Sequence, residues 1–502
     1  MSLDSTLSIA TGGLANINAQ FSLISQNVAN AATPGYALEV SNQQSITADG
    51  VGMGVRTAPA TLQINQALQA SVIQQNALVS GAQTTQTALQ AIDSVQGTPG
   101  AGTDLGSLLG KVQNSFSTLL TNPSSQTQQS AVVSAAATLA QGINSLSSAY
   151  SAQRQAAQDG IASGVNTLNT TLAAIGQISN QIIALQPTNQ STADLQNQRN
   201  AAVQTLSQML SIRTAQQPNG DLTIFTSGGL TLPTRGGAAP FSIATANTPP
   251  GAYYPNGGLP GIMLNGADVT SQMTGGQIGA NIALRDTTLP TDQAALDEFS
   301  QGLSGRFAAQ GLTLFTSSSG AMPAGGGSPV QSGYVGYAAT IQVNPAVSAN
   351  PALVRDGTNA TAGFTPNPSG GPAGFTTLIS NVINYTFGTQ SQSGISQPSM
   401  NTSGLGPAGN LSTPFSAATG ALGDFATSLT SSQARQSADT TTNLATQQAL
   451  QTSLTSKASA TSGVNMDTEM SQMLSLQNAY SANAKVIATI QAMYTELMQD
   501  VQ

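Results

Sequence analysis

Three sets of residues in this chain could do chemistry. Asp292, Asp297 and Glu298 stand close together, and two carboxylates drawn from Asp268, Asp286, Asp292 and Glu298 could serve general acid–base cleavage of a glycan. Gly106-Ser-Leu-Leu-Gly110-Lys111-Val112 has the outline of a phosphate-cradling loop. Gly50, Gly52 and Gly54 alternate with Val and Met, as a dinucleotide cradle would allow. Each set also has a plainer reading. The acids fall on a short amphipathic helix and are expected as a solvated face or cap. The loop is one residue short and lacks the Ser/Thr that would hold Mg²⁺. The alternating glycines fit a turn or strand. No catalytic, cofactor or metal residue is assigned, and no enzyme is expected.

The composition narrows the chemistry further. The 502 residues include no His, no Cys and no Trp. An imidazole or a thiol is what most nucleophilic catalysis and zinc binding require near neutral pH. Disulfides are excluded outright. The 20 acidic and 12 basic residues give a net charge of −8, with Lys at 111, 457 and 485 only. Nucleic acid needs clustered cations, and so does an anionic membrane surface; neither partner is expected. No apolar run is long enough to span a bilayer. The first basic residue is Arg56, so the N-terminus lacks the basic region of a conventional secretory signal. With 39% hydrophobic residues the chain is still expected to fold, as a polar but uncharged structural or extracellular protein.

The elements that carry these residues are read from periodicity. Leu3, Leu7, Ala10, Leu14, Ile17, Phe21, Ile24 and Val28 repeat at alternating spacings of four and three, a heptad seam. Gly12 and Gly13 weaken the helix locally, and Thr33-Pro34-Gly35-Tyr36 ends it. At the other end Met473, Leu476, Tyr480, Asn483, Ile487, Ile490, Tyr494, Leu497 and Val501 repeat in the same way. Asn465 is placed to cap this second helix, and Asp467 and Glu469 suit its positive end. Interfacial membrane helices carry Lys or Arg on the polar face, which these lack, so the stripes are expected to pack on helices. Ordering so many backbones costs more than eight seam side chains return. The ends are therefore expected to be mobile alone and fixed in an assembly.

Between the ends the character changes. Residues 62 to 215 read as helical, broken at Gly97–Gly102 and near Asn122-Pro123, with the stripe Ile161, Val165, Leu168, Leu172, Ile175, Ile182. Ile212 to Phe225 reads as a hairpin around Pro218-Asn219-Gly220. From 226 to 375 Gly, Pro, Thr and Ser are dense, which predicts β structure with long loops and a short helix near 292–310. Helical pattern returns at 418 to 456. The expected fold class is mixed: an α-helical terminal coiled coil and a helical bundle rod, with inserted β-rich domain(s). The expected parts are a paired terminal helical domain (1–60 with 460–502), a helical rod with an added hairpin (61–225 with 416–459), and β-rich, Gly/Pro-rich outer domain(s) (226–415).

Ile24-Ser-Gln-Asn-Val-Ala-Asn-Ala-Ala-Thr-Pro-Gly-Tyr36 resembles the N-terminal signature of the flagellar rod, hook and hook-associated proteins. Ser462-Gly-Val-Asn-Met-Asp-Thr-Glu-Met470 with Gln477-Asn-Ala-Tyr-Ser-Ala-Asn-Ala-Lys-Val-Ile487 resembles their C-terminal signature. Three internal stretches resemble the members that join hook to filament: Leu195-Gln-Asn-Gln-Arg-Asn-Ala-Ala-Val203, Gly275-Gly-Gln-Ile-Gly-Ala-Asn-Ile-Ala-Leu-Arg-Asp286 with Leu289-Pro290, and Ile341-Gln-Val-Asn-Pro345. Ala37-Leu38-Glu39 departs from the polar or basic residues usual after the Tyr.

The resemblance implies a non-enzymatic building block without cofactors, exported unfolded through the flagellar type III channel with no cleaved signal peptide. Its implied place is extracellular, at the hook–filament junction. Its implied partners are further copies of itself in a ring, the hook protein, the second junction protein on the filament side, and an export chaperone on the C-terminal helix. The seam residues Leu3 to Val28 and Met473 to Val501 would form the assembly interface. Asn27, Asn30, Thr33, Pro34, Gly35 and Tyr36 would shape the turn out of the first helix. A hook or rod subunit shares both end signatures, and would lack the 195–225 and 275–290 elements. A secreted adhesin with helical termini is the remaining alternative.

Overall fold

The computed structural model describes residues 3–48, 51–235, 239–417 and 420–500. The chain begins with α1 (Leu3–Asn30) and a long antiparallel ribbon, β1 (Glu39–Ala48) with β2 (Val51–Leu62). Four helices follow: α2 (Gln66–Gln96), α3 (Leu105–Thr121), α4 (Gln126–Leu185, 60 residues) and α5 (Ala193–Met209). The starts of α2, α3 and α4 are fixed by side chains that accept from unpaired backbone N–H groups. Asn65 accepts from Leu68 N at 3.1 Å, Asp104 from Ser107 N at 3.1 Å and Ser125 from Gln128 N at 3.3 Å. The breaks fall at the Gly97–Gly102 and Asn122-Pro123 segments singled out in the sequence.

The hairpin is β3 (Ile212–Gln216) with β4 (Leu222–Thr226), extended by β5 (Thr231–Leu232). Beyond it the strands are short: β6 (Phe241–Ser242), β7 (Met263–Leu264) and β8 (Ala267–Asp268) form one small sheet. A helical spine then runs through the middle of the chain, from α6 (Gly276–Ala283) through a π-helical turn (Leu284–Thr288) into α7 (Leu289–Ala309). The expected short helix at 292–310 is therefore the end of a longer one. The wider turn lets Pro290, which has no N–H to give, follow without ending the helix. Two-stranded pairs β9 (Phe315–Thr316) with β10 (Gln342–Val343), β11 (Gln390–Gln392) with β12 (Ile395–Ser396), and β13 (Ser403–Leu405) with β14 (Leu411–Ser412) decorate this spine. Short helices α8 (Pro345–Ala349), α9 (Leu353–Asp356) and α10 (Thr377–Asn381) lie among them. The chain returns as α11 (Leu422–Ser462) and α12 (Met466–Asp500). The fold is mixed, mainly helical with small β insertions.

Two apolar cores lie along α4. The first half of that helix packs with α3, α7 and the start of α11, centred on Phe307, whose ring meets those of Phe116, Phe315 and Phe387 at 5.7–5.8 Å. The second half presents Ile161, Val165, Leu168, Leu172 and Ile175, all buried, to α5, the hairpin and α6. α2 and α11 pair antiparallel, and side-chain amides bond across the pair. Gln75 Nε2 donates to Gln447 O at 2.8 Å, Gln451 Nε2 to Asn76 Oδ1 at 2.8 Å and Gln96 Nε2 to Thr430 O at 3.0 Å.

Candidate assembly interface

α1 and α12 lie antiparallel. At one end Tyr494 donates its hydroxyl to Asp4, and at the other Asn27 Nδ2 donates to Glu469 Oε2 at 3.2 Å. Between them Gly13 faces Asn483, where a Cβ would approach the Asn483 amide to 3.4 Å. The polar member of the second stripe thus sits opposite the glycine of the first. α12 starts as read from the sequence: Asn465 Oδ1 accepts from Asp467 N at 3.0 Å and Thr468 N at 3.2 Å.

The seam divides by heptad position. Ala10, Ile17 and Ile24, seven residues apart, are buried. Leu3, Leu7, Leu14, Phe21 and Val28 are half-buried. On α12 Ile490 is buried, and Met473, Leu476, Asn483, Ile487 and Tyr494 are half-buried. Tyr480 and Leu497 are exposed, and Val501 lies outside the described residues. The sequence reading missed that α12 also exposes apolar side chains around the seam, at Met466, Met470, Leu474, Val486, Met493 and Met498. Met466 continues the seam one heptad before Met473, and Met470 with Met498 and Val486 with Met493 lie at the positions beside it.

The ribbon packs along α1. A Cβ at Gly54 would lie 3.6 Å from Ile9, and Thr57 Oγ1 donates to Asn16 Oδ1 at 3.0 Å. Gly52 and Gly54 are strand residues here rather than a cradle, and Gly50 lies outside the described residues. From the sequence, residues 39–60 went with the terminal helices. A two-stranded ribbon rich in Gln, Ser, Thr and Gly carries little apolar signal, so beyond the turn or strand expected at the alternating glycines its extent was not read.

The turn residues converge on one polar node. Asn27 is buried; besides Glu469, it donates to Glu39 O at 2.9 Å and accepts from Glu39 N at 3.1 Å. Tyr36 hydroxyl donates to Asn27 Oδ1 at 3.2 Å and to Glu39 Oε1 at 3.3 Å. Asn197 of α5 closes the node, exchanging bonds with Ala37 N (2.9 Å) and Ala37 O (3.0 Å). Leu38 N donates to Ser462 O at 2.7 Å, tying in the end of α11. Asn30 and Thr33 shape the exit: Thr33 N donates to Asn30 O at 2.9 Å and Asn30 Nδ2 to Gln26 O at 3.0 Å. Pro34 follows, and Gly35 takes a φ of 76°, with Gln204 packed where a Cβ would be. Burial pushes the Glu39 carboxyl up, partly offset by the Asn197 bond. Burial and the neighbouring Glu39 push the Tyr36 phenol up as well.

The internal motifs are scaffold. Arg199, buried, donates to Gly220 O at 2.7 Å and holds the hairpin turn to α5. Arg285 forms a two-pronged pair with Asp286 at 2.7 Å and donates to Gln158 Oε1 at 2.7 Å. Asn344 caps α8 through Ala346 N at 3.0 Å and donates to Thr313 O at 2.9 Å.

The acids correct an expectation. Asp292, Asp297 and Glu298 do not form a solvated face; all three are buried, because α7 is packed on every side. Asp297 accepts from Gly336 N at 2.7 Å, Ala338 N at 2.9 Å and Gln293 Nε2 at 3.0 Å. Glu298 accepts from Tyr334 hydroxyl at 2.6 Å and Asn401 N at 2.8 Å. Asp268 is engaged by Tyr254 and Thr270 and Asp286 by Arg285, so these carboxylates serve as acceptors within the fold. Gly106 and Gly110 lie within α3, and Lys111 Nζ donates to Gly102 O at 2.6 Å. Among the described residues no group of His, Cys, Asp or Glu could hold a metal, and no helix is long and apolar enough to cross a membrane.

Residues 89–321 match the family model of the flagellar hook-associated protein FlgK helical domain. Residues 455–500 match that of the flagellar basal body rod FlgEFG protein C-terminal segment. Similar solved structures include the flagellar hook junction protein FlgK from Burkholderia pseudomallei, with 24% identity and a TM-score of 0.40. That likeness covers 51% of this chain and 45% of the Burkholderia chain, so it spans less than half of that relative's length. No curated protein matches. The C-terminal segment, which includes α12, is thus similar to that of the flagellar basal body rod proteins. The region 89–321 of this chain is similar to the helical domain of the flagellar hook-associated protein FlgK.

Proposed function

We propose that this chain is a structural subunit of the bacterial flagellum that forms the junction between hook and filament. The observation that carries the reading is the half-covered seam. The pairing of α1 with α12 buries Ala10, Ile17, Ile24 and Ile490 but leaves Leu7, Leu14, Phe21 and Ile487 half-open and Leu497 exposed. Apolar side chains left uncovered beside a buried seam favour further burial against other helices. Neighbouring copies would supply it, with hook protein on one side and the second junction protein on the other. Before assembly an export chaperone would cover α12. In this reading 1–60 with 460–502 form the inner coiled coil, 61–225 with 416–459 the rod, and 226–415 the outer part. The internal segments 195–225 and 275–290 favour a junction subunit over a rod or hook subunit. The near absence of charge suits close helix packing, because each unpaired ion desolvated costs about several kcal/mol.

The test is to replace Ile17 or Ile487 by Asp separately. Each variant is expected to keep the middle of the molecule folded and to be missing from flagella. Normal incorporation of either would overturn the proposal.

A further inference from the structure

The oxidisable atoms of this protein are concentrated on one helix. The chain has no Cys, His or Trp, so the thioether sulfurs of its 12 methionines are the side-chain atoms a peroxide attacks most readily. Five of the 12 lie within the 35 residues of α12, at 466, 470, 473, 493 and 498. Met466, Met470, Met493 and Met498 are 44–65% exposed there. Met209, Met273 and Met400 belong to the apolar cores and are 1–7% exposed. Elsewhere among the described residues, Met53 on the ribbon and Met322 in a loop are exposed.

We propose that α12 is an oxidation site of the free subunit: hydrogen peroxide converts Met466, Met470, Met493 and Met498 to sulfoxides, and the modified helix no longer assembles. The first part rests on exposure, and the second on the reading above that neighbouring copies cover this helix. The chemistry closes without a catalytic residue. The sulfur lone pair attacks one peroxide oxygen, an S–O bond forms and the O–O bond breaks. The sulfur gives up two electrons, the peroxide is reduced by them, and the second oxygen leaves as water.

Each step turns a soft apolar side chain into a polar one with a strong acceptor oxygen. In the free protein that oxygen faces water, and the pairing of α12 with α1 keeps its contacts at Ile490, Asn483 and Tyr494. Pressed against the apolar stripe of another helix, the oxygen would have no donor, and the contact would be lost. Subunits already in place would have these sulfurs covered. Oxidation would therefore act on subunits still waiting to assemble.

The experiment treats the full-length protein with hydrogen peroxide, maps each sulfoxide by peptide mass spectrometry, and scores incorporation into flagella that lack this subunit. The four α12 methionines are expected to oxidise about tenfold faster than Met209, Met273 and Met400, which react only when the cores open. Incorporation of the treated protein should fall about tenfold, and methionine sulfoxide reductase should restore it. A variant carrying Met466→Leu, Met470→Leu, Met493→Leu and Met498→Leu still has Met53 and Met322 to oxidise, and should incorporate equally before and after treatment. Even oxidation of all methionines, undiminished incorporation of the treated protein, or an equal loss in the treated Leu variant would overturn the proposal. If the Leu variant does not assemble, the reductase decides: failure to restore incorporation overturns the proposal. Failure of the untreated protein to incorporate would count against the junction reading instead, and the sulfoxide map would still decide the oxidation site.

Discussion

Asn27 on the first helix donates to Glu469 on the last, across 442 positions of sequence. The same amide group grips both backbone atoms of Glu39, so one side chain fixes the first helix, the turn and the last helix together. Asn27→Ala would remove the partners that this side chain gives the Glu39 N–H and carbonyl in a buried place, leaving the Tyr36 hydroxyl only its bond to Glu39 Oε1. A cost of about 1–3 kcal/mol to the terminal pair is expected. Amide hydrogen exchange should read it as faster opening of residues 3–48 and 466–500, with protection of α4 unchanged.

Gly35→Ala tests the turn. The position needs a left-handed backbone, and a methyl there would push into the Gln204 amide. We expect a loss of about 1–3 kcal/mol. Combining it with Gln204→Ala should recover the steric part but not the backbone part, which a double-mutant cycle on thermal unfolding would separate.

Ile490 and Leu497 lie on one stripe and differ in burial, 2% against 53% exposed. Ile490→Ala should destabilise the free protein by about 2–5 kcal/mol in the terminal pair. Leu497→Ala should leave the monomer within about 0.5 kcal/mol and weaken assembly instead. The pair is checked by unfolding of the monomer and by incorporation into flagella.

The pH dependence of stability follows from α7. Burial raises Asp297, like Asp292, from 3.8 to about 7, partly opposed by the Ala338 and Gly336 N–H groups and Gln293. In each case the folded state holds its proton more tightly than the unfolded chain. The stability it brings is therefore complete below pH ~4 and is lost as pH rises to ~7, by about 1.4 kcal/mol per unit for each group. Denaturant midpoints from pH 4 to 8 should fall and then level off above pH ~7. Asp297→Asn should lower the midpoint at every pH, since an amide cannot accept from all three donors.

The periodic parts of the chain were legible because periodicity is what a buried stripe writes into sequence. The α4 stripe from Ile161 to Ile175 and the Asn465 cap are examples. The node was only half visible. The motif from Asn27 to Tyr36 could be read, but its partners Asn197, Gln204 and Glu469 lie far along the chain and are joined to it only by folding. The burial of Asp292, Asp297 and Glu298 was hidden for a different reason. A helix packed on every side has no polar face to break its pattern, so charged residues within it look the same as solvated ones. The exposed apolar residues of α12, such as Met470, Leu474 and Met493, are spread around the seam and so make no second stripe of their own.

α4 runs unbroken for 60 residues through both cores, about 90 Å end to end. No glycine hinge or proline interrupts it in a way that separates the two halves, since Gly142, Gly160, Gly164 and Gly176 all lie within the helix. The two cores therefore do not behave as beads on a string. They share one stiff beam, so a torque taken up around Phe307 reaches α5 and the Asn197 node with little lost to flexure on the way.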